Sequence, residues 1–260
     1  MNHHTLKTHG DYATPSTPFA QLSWPARLRA AWDIFRLQSQ LLFSHRLFWF
    51  LFGVAAWLVF LYIINYRQPL LSRLQTDDVF TLVLELPLGV LAILLSMQII
   101  ASEKEKRTLE VMFTAAGSRY KLWLLRFGSL HLLLALLAVV LNLFAFFFFT
   151  DIPLFSAALH AFIPAFFIST LTLFFSVRLR SGLAAGMITA GLSSVLLLFS
   201  AELSDTAYTV FFNPYAVFRH VDPEVRTLWM WQNRISITIA GLLFYFGALR
   251  GLDKRERLLK

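Results

Sequence analysis

Six long apolar segments, each of about 20 residues, occupy most of the chain and limit what it can fold into. A segment of this length and hydropathy can cross the roughly 30 Å hydrocarbon core of a membrane. In lipid every backbone polar group must bond within the protein, so each segment is predicted to form a transmembrane helix. The predicted spans are Leu47–Asn65, Val79–Ile100, Trp123–Phe149, Leu154–Phe175, Leu183–Ala201 and about Leu228–Leu249.

Composition argues against soluble alternatives. Apolar residues, with Gly left out, make up 57% of the chain, and charged residues make up only 15%. Average soluble domains are about 45–50% apolar even with Gly counted, and about 25% charged. A soluble protein of this composition would expose large apolar patches. The predicted fold class is therefore all-α, a polytopic membrane protein with six transmembrane helices, rather than a soluble enzyme, a disordered chain or a nucleic-acid-binding domain.

Basic residues are distributed unevenly between the two sides of the predicted membrane. The net charge is +8, from 23 Lys and Arg against 15 Asp and Glu. With the N-terminus inside, 18 Lys and Arg residues fall on the cytoplasmic side and 5 on the outer side. Cytoplasmic loops of membrane proteins carry such an excess. Both termini are therefore predicted to be cytoplasmic, and the positive charge requires no nucleic acid.

The sixth predicted span is the weakest, because its uninterrupted apolar part is only Ile235–Leu249. It can still cross the membrane if the side chain of Arg234 reaches the outer headgroups. Trp229 and Trp231 would then lie in the aromatic belt of the interface.

Four regions lie outside these spans. Residues 1–22 form a polar N-terminal tail without an apolar signal-peptide core, and 251–260 form a basic cytoplasmic C-terminus. Residues 23–46 have apolar and charged positions at helical spacing, which predicts an amphipathic helix in the membrane interface. The alternative is a helix packed on another subunit. The outer segment, about 202–233, is rich in aromatic residues and predicts short helices that dip into the membrane.

The loop after the second span has its own helical pattern. Ser102 and Glu105 have the spacing of a capping box, which predicts that a new helix begins there. Apolar residues then recur three and four apart along one side, and charged residues occupy the other side. The apolar positions are Leu109, Met112, Phe113 and Ala116.

Few polar residues lie within the predicted spans. Glu85 is a candidate pathway or gate residue, since charges inside a membrane are usually functional; the alternative places it at the interface. His131 and Asn142 are interpreted as hydrogen-bonded packing residues. Small residues four apart in the fifth span predict close helix packing within one chain or across a dimer. These are Gly182, Gly186 and Ala190.

One cytoplasmic strip resembles a known family. The sequence from Ala101 to Glu110, followed by Ala116–Arg119, is similar to the E-x-E-x-G-T-L-E strip after the second span in membrane subunits of type-2 ABC transporters. Arg107 stands where that family usually has Gly, and Gly117 where Pro is common. Five positions match the strip: Glu103, Glu105, Thr108, Leu109 and Glu110.

The resemblance implies a permease subunit of an ATP-driven transporter, an exporter, in the bacterial cytoplasmic (inner) membrane. Two copies of a separate ATP-binding subunit would bind ATP and Mg and hydrolyse the ATP, so this chain would be neither an enzyme nor a cofactor carrier. A second permease subunit, identical or different, would complete the complex. Residues 103–117 would form a coupling helix against the ATPase. Its contacts would be Glu103, Glu105, Arg107, Thr108, Leu109, Glu110, Met112 and Phe113.

Two other functions are alternatives to transport. The chain could be a non-transporting relay that transmits ATPase work to an extracytoplasmic partner docked on the outer segment. An intramembrane enzyme would need polar residues clustered at one depth, and the sequence pattern predicts none. The substrate is left open.

Overall fold

The structure, a computed structural model, describes residues 45–69, 72–105, 119–179, 181–203, 206–216 and 221–253, with 23–26, 29, 32–33 and 35–36. Helices make up nearly all of this part of the chain. In chain order they are α1 (His45–Arg67), α2 (Thr76–Val79), a π-helical segment (Phe80–Glu85), α3 (Leu86–Glu105), α4 (Arg119–Phe148), α5 (Leu154–Arg178), α6 (Gly182–Glu202) and α7 (Pro223–Asp253).

Six helices are long and apolar enough to cross a membrane, which confirms the predicted all-helical architecture with six spans. The second span is continuous through α2, the π-helical segment and α3. It begins at Thr76, and the sixth begins at Pro223, so both extend further than the sequence predicted. We call the end of the bundle where α1 ends and α2 begins the outer end, after the predicted sidedness.

Helix α5 lies at the centre of the bundle. It packs most extensively against α7, and also against α3, α4 and α6. Of its span 67% is buried, compared with 17% of the α1 span, which lies at the periphery against α3. Close approach to α5 is allowed by four buried small residues, since small side chains let helix backbones come together in membranes. They are Ala157, Ala158, Ala161 and Ala165.

The contact between α5 and α7 depends on glycines of α7. A Cβ atom at Gly241 would lie 2.7 Å from Cε1 of Phe166 and 3.5 Å from the Cα atom of Phe167. A Cβ at Gly251 would lie 2.7 Å from Cγ1 of Val177. The two helices therefore approach each other more closely than any larger residue at these positions would allow.

The small-residue stripe of α6 divides between two environments. Gly182 and Gly186 are buried, and a Cβ at Gly186 would lie 2.7 Å from the Sδ atom of Met97 on α3. Ala190 is exposed on the surface of the bundle. The first two positions of the stripe thus pack within the chain, and the third does not.

The π-helical segment precedes a proline. Pro87 has no backbone N–H, and its ring would collide with the carbonyl group four residues earlier in a regular α-helix. In the wider turn the N–H of Leu86 donates to the carbonyl oxygen of Thr81, five residues back. This turn accommodates Pro87 without interrupting the span.

The cytoplasmic strip is only partly described. Helix α3 continues without a break to Glu105, so Glu103 and Glu105 belong to the helix of the second span. The prediction that a new helix begins at Ser102 is therefore wrong, because backbone donors in a continuous helix already bond to the preceding turn and need no cap. Arg107, Thr108, Leu109, Glu110, Met112 and Phe113 lie outside the described residues.

The interfacial helix over 23–46 also stays a prediction. Its described residues from Trp24 onwards are helical, and Trp24 and Trp32 are exposed. The tail 1–22 and residues 254–260 lie outside the described part.

We expect Gly241→Ala to destabilise the protein, because the added methyl group meets a rigid ring and a backbone atom of α5. The apparent melting temperature in detergent should fall. Gly191→Ala is the matched control: it is also within a span, and nothing lies within 4 Å of its added Cβ. It should leave the melting temperature unchanged or raise it slightly, since Ala favours helix more than Gly. Equal effects of the two substitutions would contradict the close α5–α7 contact.

The absence of cysteine in the sequence allows a direct test of sidedness. In intact cells, a membrane-impermeant maleimide should label Tyr208→Cys, whose native side chain is 86% exposed at the outer end. It should label Ser118→Cys only after permeabilisation. The reverse pattern would show that the predicted orientation is wrong.

Candidate functional site

Arg234 is the centre of a buried polar cluster near the outer end of the bundle. Its side chain is 2% exposed, although it belongs to the sixth span. Its Nε donates to Nδ1 of His160 at 3.3 Å, Nη1 to Oδ1 of Asn233 at 3.1 Å, and Nη2 to the carbonyl oxygen of Phe212 at 2.8 Å. The prediction that Arg234 reaches the headgroups is therefore wrong, because neighbouring segments supply acceptors inside the bundle.

Two asparagines attach the outer segment to the spans. Nδ2 of Asn233 donates to the carbonyl oxygens of Ala207 at 2.9 Å and Thr209 at 2.5 Å. Nδ2 of Asn213 donates to the carbonyl oxygen of Asp77 at 2.8 Å and to Oγ1 of Thr81 at 3.0 Å. These bonds satisfy polar groups that a non-helical segment would otherwise leave unpaired in an apolar environment.

The outer segment folds down onto the bundle. Phe212 is buried, and the ring of Tyr215 packs on that of Phe80, with the centroids 5.3 Å apart. Burial raises the pKa of Tyr215 above its usual value, so its hydroxyl stays protonated at neutral pH. Residues 206–216 form turns rather than the predicted short helices. In place of helical hydrogen bonds, the carbonyl oxygens of Ala207 and Thr209 accept from the side chain of Asn233.

Glu85 lies within the second span, at the end of the π-helical segment. It is nine residues from Thr76, or roughly 14 Å along the helix, and only 4% exposed. This position is inside the bundle rather than at its surface. Glu85 and Arg234 are near enough to interact electrostatically. The Nε, Nη1 and Nη2 atoms of Arg234 nevertheless donate to groups other than Glu85.

A cavity of about 220 Å³ opens beside Glu85. The second span, α6 and the outer segment each contribute part of its wall. Polar and aromatic side chains both line it. The lining residues are Thr81, Glu85, Leu197, Ser200, Thr209, Phe211, Phe212, Asn213 and Ala216.

A second polar network lies deeper, between α3, α4 and α5. Nδ1 of His131 is 2.7 Å from the carbonyl oxygen of Phe127 and therefore donates to it. Nε2 of the same ring then accepts from the hydroxyl of Ser169 at 3.3 Å, and the Ser169 oxygen lies 2.8 Å from that of Ser96. This chain fixes the tautomer of His131 and joins three helices. It has the form of a packing network, as the sequence predicted.

Asn142 joins α4 to the start of α5. Its Nδ2 donates to the carbonyl oxygens of Pro153, at 3.3 Å, and Leu154. Both acceptors lie at the N-terminal end of α5, where the carbonyl of Pro153 also receives the N–H of Ala157. The side chain thus holds the short outer connection between these helices.

Of the predicted site residues that the structure describes, Glu85 is the one that lies beside this cluster. The glycines of α6 lie elsewhere in the bundle. Sequence reasoning missed Arg234, His160, Asn213 and Asn233 as site residues. One signal was available, because an arginine in a span should be paired inside the protein. Two of its partners could not be found, since Phe212 and His160 lie 22 and 74 residues away in the chain.

The described residues bring together no group of three or more His, Asp or Glu side chains that could hold a metal ion. The cavity instead offers a carboxylate, hydroxyl groups and aromatic walls. Fold and site define a multi-pass helical membrane protein with a polar cavity near one end of the bundle. No protein-family model matches the chain, and no curated protein or solved structure shows significant similarity to it.

We expect Arg234→Lys to lower the free energy of unfolding by about 1–3 kcal/mol. Lysine keeps the charge but cannot reach His160, Asn233 and Phe212 with a planar fork of donors. Chemical unfolding in detergent micelles would measure the loss. The control is Arg250→Lys, the same change at an exposed position of α7, which should be nearly neutral. If both variants unfold like the wild type, the cluster does not stabilise the fold.

Proposed function

We propose that the chain is the permease subunit of an ATP-driven exporter of the bacterial inner membrane, working with a separate ATP-binding subunit. The observation that carries this proposal is the strip Ala101–Arg119, which resembles the coupling region of type-2 ABC permeases. Six membrane-spanning helices before and after this strip are consistent with that class.

In this mechanism two ATPase subunits bind ATP and Mg and close on each other. The strip that follows α3, with an apolar ridge and charged flanks within residues 106–117, sits in a groove of the ATPase and moves with it. Because α3 runs uninterrupted from Leu86 into Glu105, movement of the strip is transmitted to the second span as a rigid rod. The cavity and Glu85 lie along the same span, towards the other end.

A second permease subunit completes the proposed complex. Helix α1 buries little of its surface within the chain and exposes several large aromatic side chains. Lipid or a second copy of the permease would cover them. The exposed aromatic residues are Phe48, Trp49, Phe52 and Phe60.

The alternative function is a relay that passes ATPase work to an extracytoplasmic protein. A docking surface for such a partner would present its aromatic side chains outward. In the described part of the outer segment Phe212 is buried and Phe211 and Tyr215 pack on the core, whereas Tyr208 is exposed. This inward packing favours a segment that covers the cavity, and therefore transport.

We expect Leu109→Asp and Glu110→Arg to abolish most coupled ATPase activity or to release the ATP-binding subunit. A charge on the apolar ridge, or a reversed charge beside it, would disrupt the fit to the partner groove. Co-purification and ATPase assays of the complex in nanodiscs would measure both effects.

Two controls carry the same chemical changes to other parts of the chain. Leu6→Asp lies in the polar N-terminal tail, and Glu202→Arg lies at the predicted opposite side of the membrane. Both should keep the partner and the ATPase rate. Full coupled activity and complex formation in Leu109→Asp and Glu110→Arg would show that the strip is not a coupling helix.

A further inference from the structure

Two residues that line the cavity beside Glu85 carry polar atoms without a hydrogen-bond partner in the described part of the protein. Glu85 and Thr209 are 4% and 5% exposed, and both line the cavity. Among the described residues, neither Oε1 of Glu85 nor Oγ1 of Thr209 has a hydrogen-bond partner. Leaving a buried acceptor unpaired is costly, most of all for a charged group. Two residues of the cavity lining therefore carry a polar group that an occupant of the cavity can engage.

Arg234 does not fill this role. Its Nε, Nη1 and Nη2 atoms bond to His160, Asn233 and the carbonyl of Phe212. Its side chain is not part of the cavity lining. The positive charge of Arg234 therefore acts on the carboxylate without a hydrogen bond to it, and the side chain of Glu85, unlike that of Arg234, lines the cavity.

The remaining lining defines the other end of the occupant. Phe211, Phe212 and Leu197 provide the apolar part of the wall. An aromatic ring near a cation also attracts it through the ring quadrupole. An engineered cavity of about 150 Å³ holds benzene, which has six non-hydrogen atoms. By the same ratio the cavity of about 220 Å³ beside Glu85 holds about nine.

We propose that this cavity binds a small organic amine, with its ammonium group on Glu85 and its apolar body against Phe211 and Phe212. An ammonium donor makes a charge-assisted hydrogen bond to a carboxylate, about twice as strong as a neutral one. Thr209 and Ser200 supply the hydroxyl groups of the lining. The proposal goes beyond the permease function, because binding requires no ATP-binding subunit.

The test compares an amine with its neutral counterpart of the same size. Tritiated 2-phenylethylamine and 2-phenylethanol are titrated onto the full-length protein in nanodiscs, and binding to empty nanodiscs is subtracted. We expect saturable binding, with the amine bound about tenfold more tightly than the alcohol.

Glu85→Gln keeps the shape of the side chain and removes its charge. It should remove the advantage of the amine over the alcohol. Glu202→Gln, the same change at an exposed position of the outer end, should leave both affinities unchanged. Retained folding of each variant is checked by size-exclusion chromatography and circular dichroism.

Ala216→Leu keeps Glu85 and fills part of the cavity from the outer segment. It should weaken binding of both compounds about tenfold, even if Glu85→Gln fails to fold. Equal affinity of the amine for the wild type and Glu85→Gln overturns the proposal. So does the absence of saturable binding to the wild type, which would mean that the cavity holds water alone.

Discussion

The structure depends on one requirement: polar backbone groups held in an apolar environment must find hydrogen-bond partners within the protein. Six helices meet it through their own ladders. The outer segment cannot, because residues 206–216 form turns. Side chains of Asn213, Asn233 and Arg234 instead bond to carbonyl groups of this segment and of α2. A non-helical segment can therefore lie against the bundle and enclose a cavity there.

The same requirement explains the state of Glu85. The Nε, Nη1 and Nη2 atoms of Arg234 donate to the side chains of His160 and Asn233 and to the carbonyl oxygen of Phe212. The guanidinium of Arg234 therefore stabilises the fold. It acts on the carboxylate of Glu85 through its charge and not through a hydrogen bond. A carboxylate in direct contact with Arg234 would have been closed to other groups. In the described part of the cluster Oε1 of Glu85 instead has no hydrogen-bond partner, and its side chain lines the cavity.

The number and type of the spans could be predicted because length and hydropathy are local properties of the sequence. Partner choice is not local. Arg234 was predicted to lie at the interface, because nothing in its own segment indicates that Phe212 and His160 bond to it. The small-residue stripe of α6 was visible from its regular spacing, whereas Gly241 and Gly251 are critical only because of Phe166 and Val177 on another helix. Ser102 and Glu105 have capping-box spacing, but the continuity of α3 gives them no helix end to cap.

The π-helical segment Phe80–Glu85 changes the rotation of one half of the second span relative to the other. A widened turn accommodates an additional residue and so rotates everything beyond it by about 100° relative to a regular α-helix. The half that begins at Thr76 and the half that follows Leu86 are therefore out of phase. Before Leu86 the hydroxyl of Thr81 and the backbone carbonyl of Asp77 accept from Asn213, and after it Ser96 bonds to Ser169. The span therefore consists of two helical parts that differ in rotation about the helix axis. A periodicity calculated over its whole length combines the two parts and shows no clear polar side.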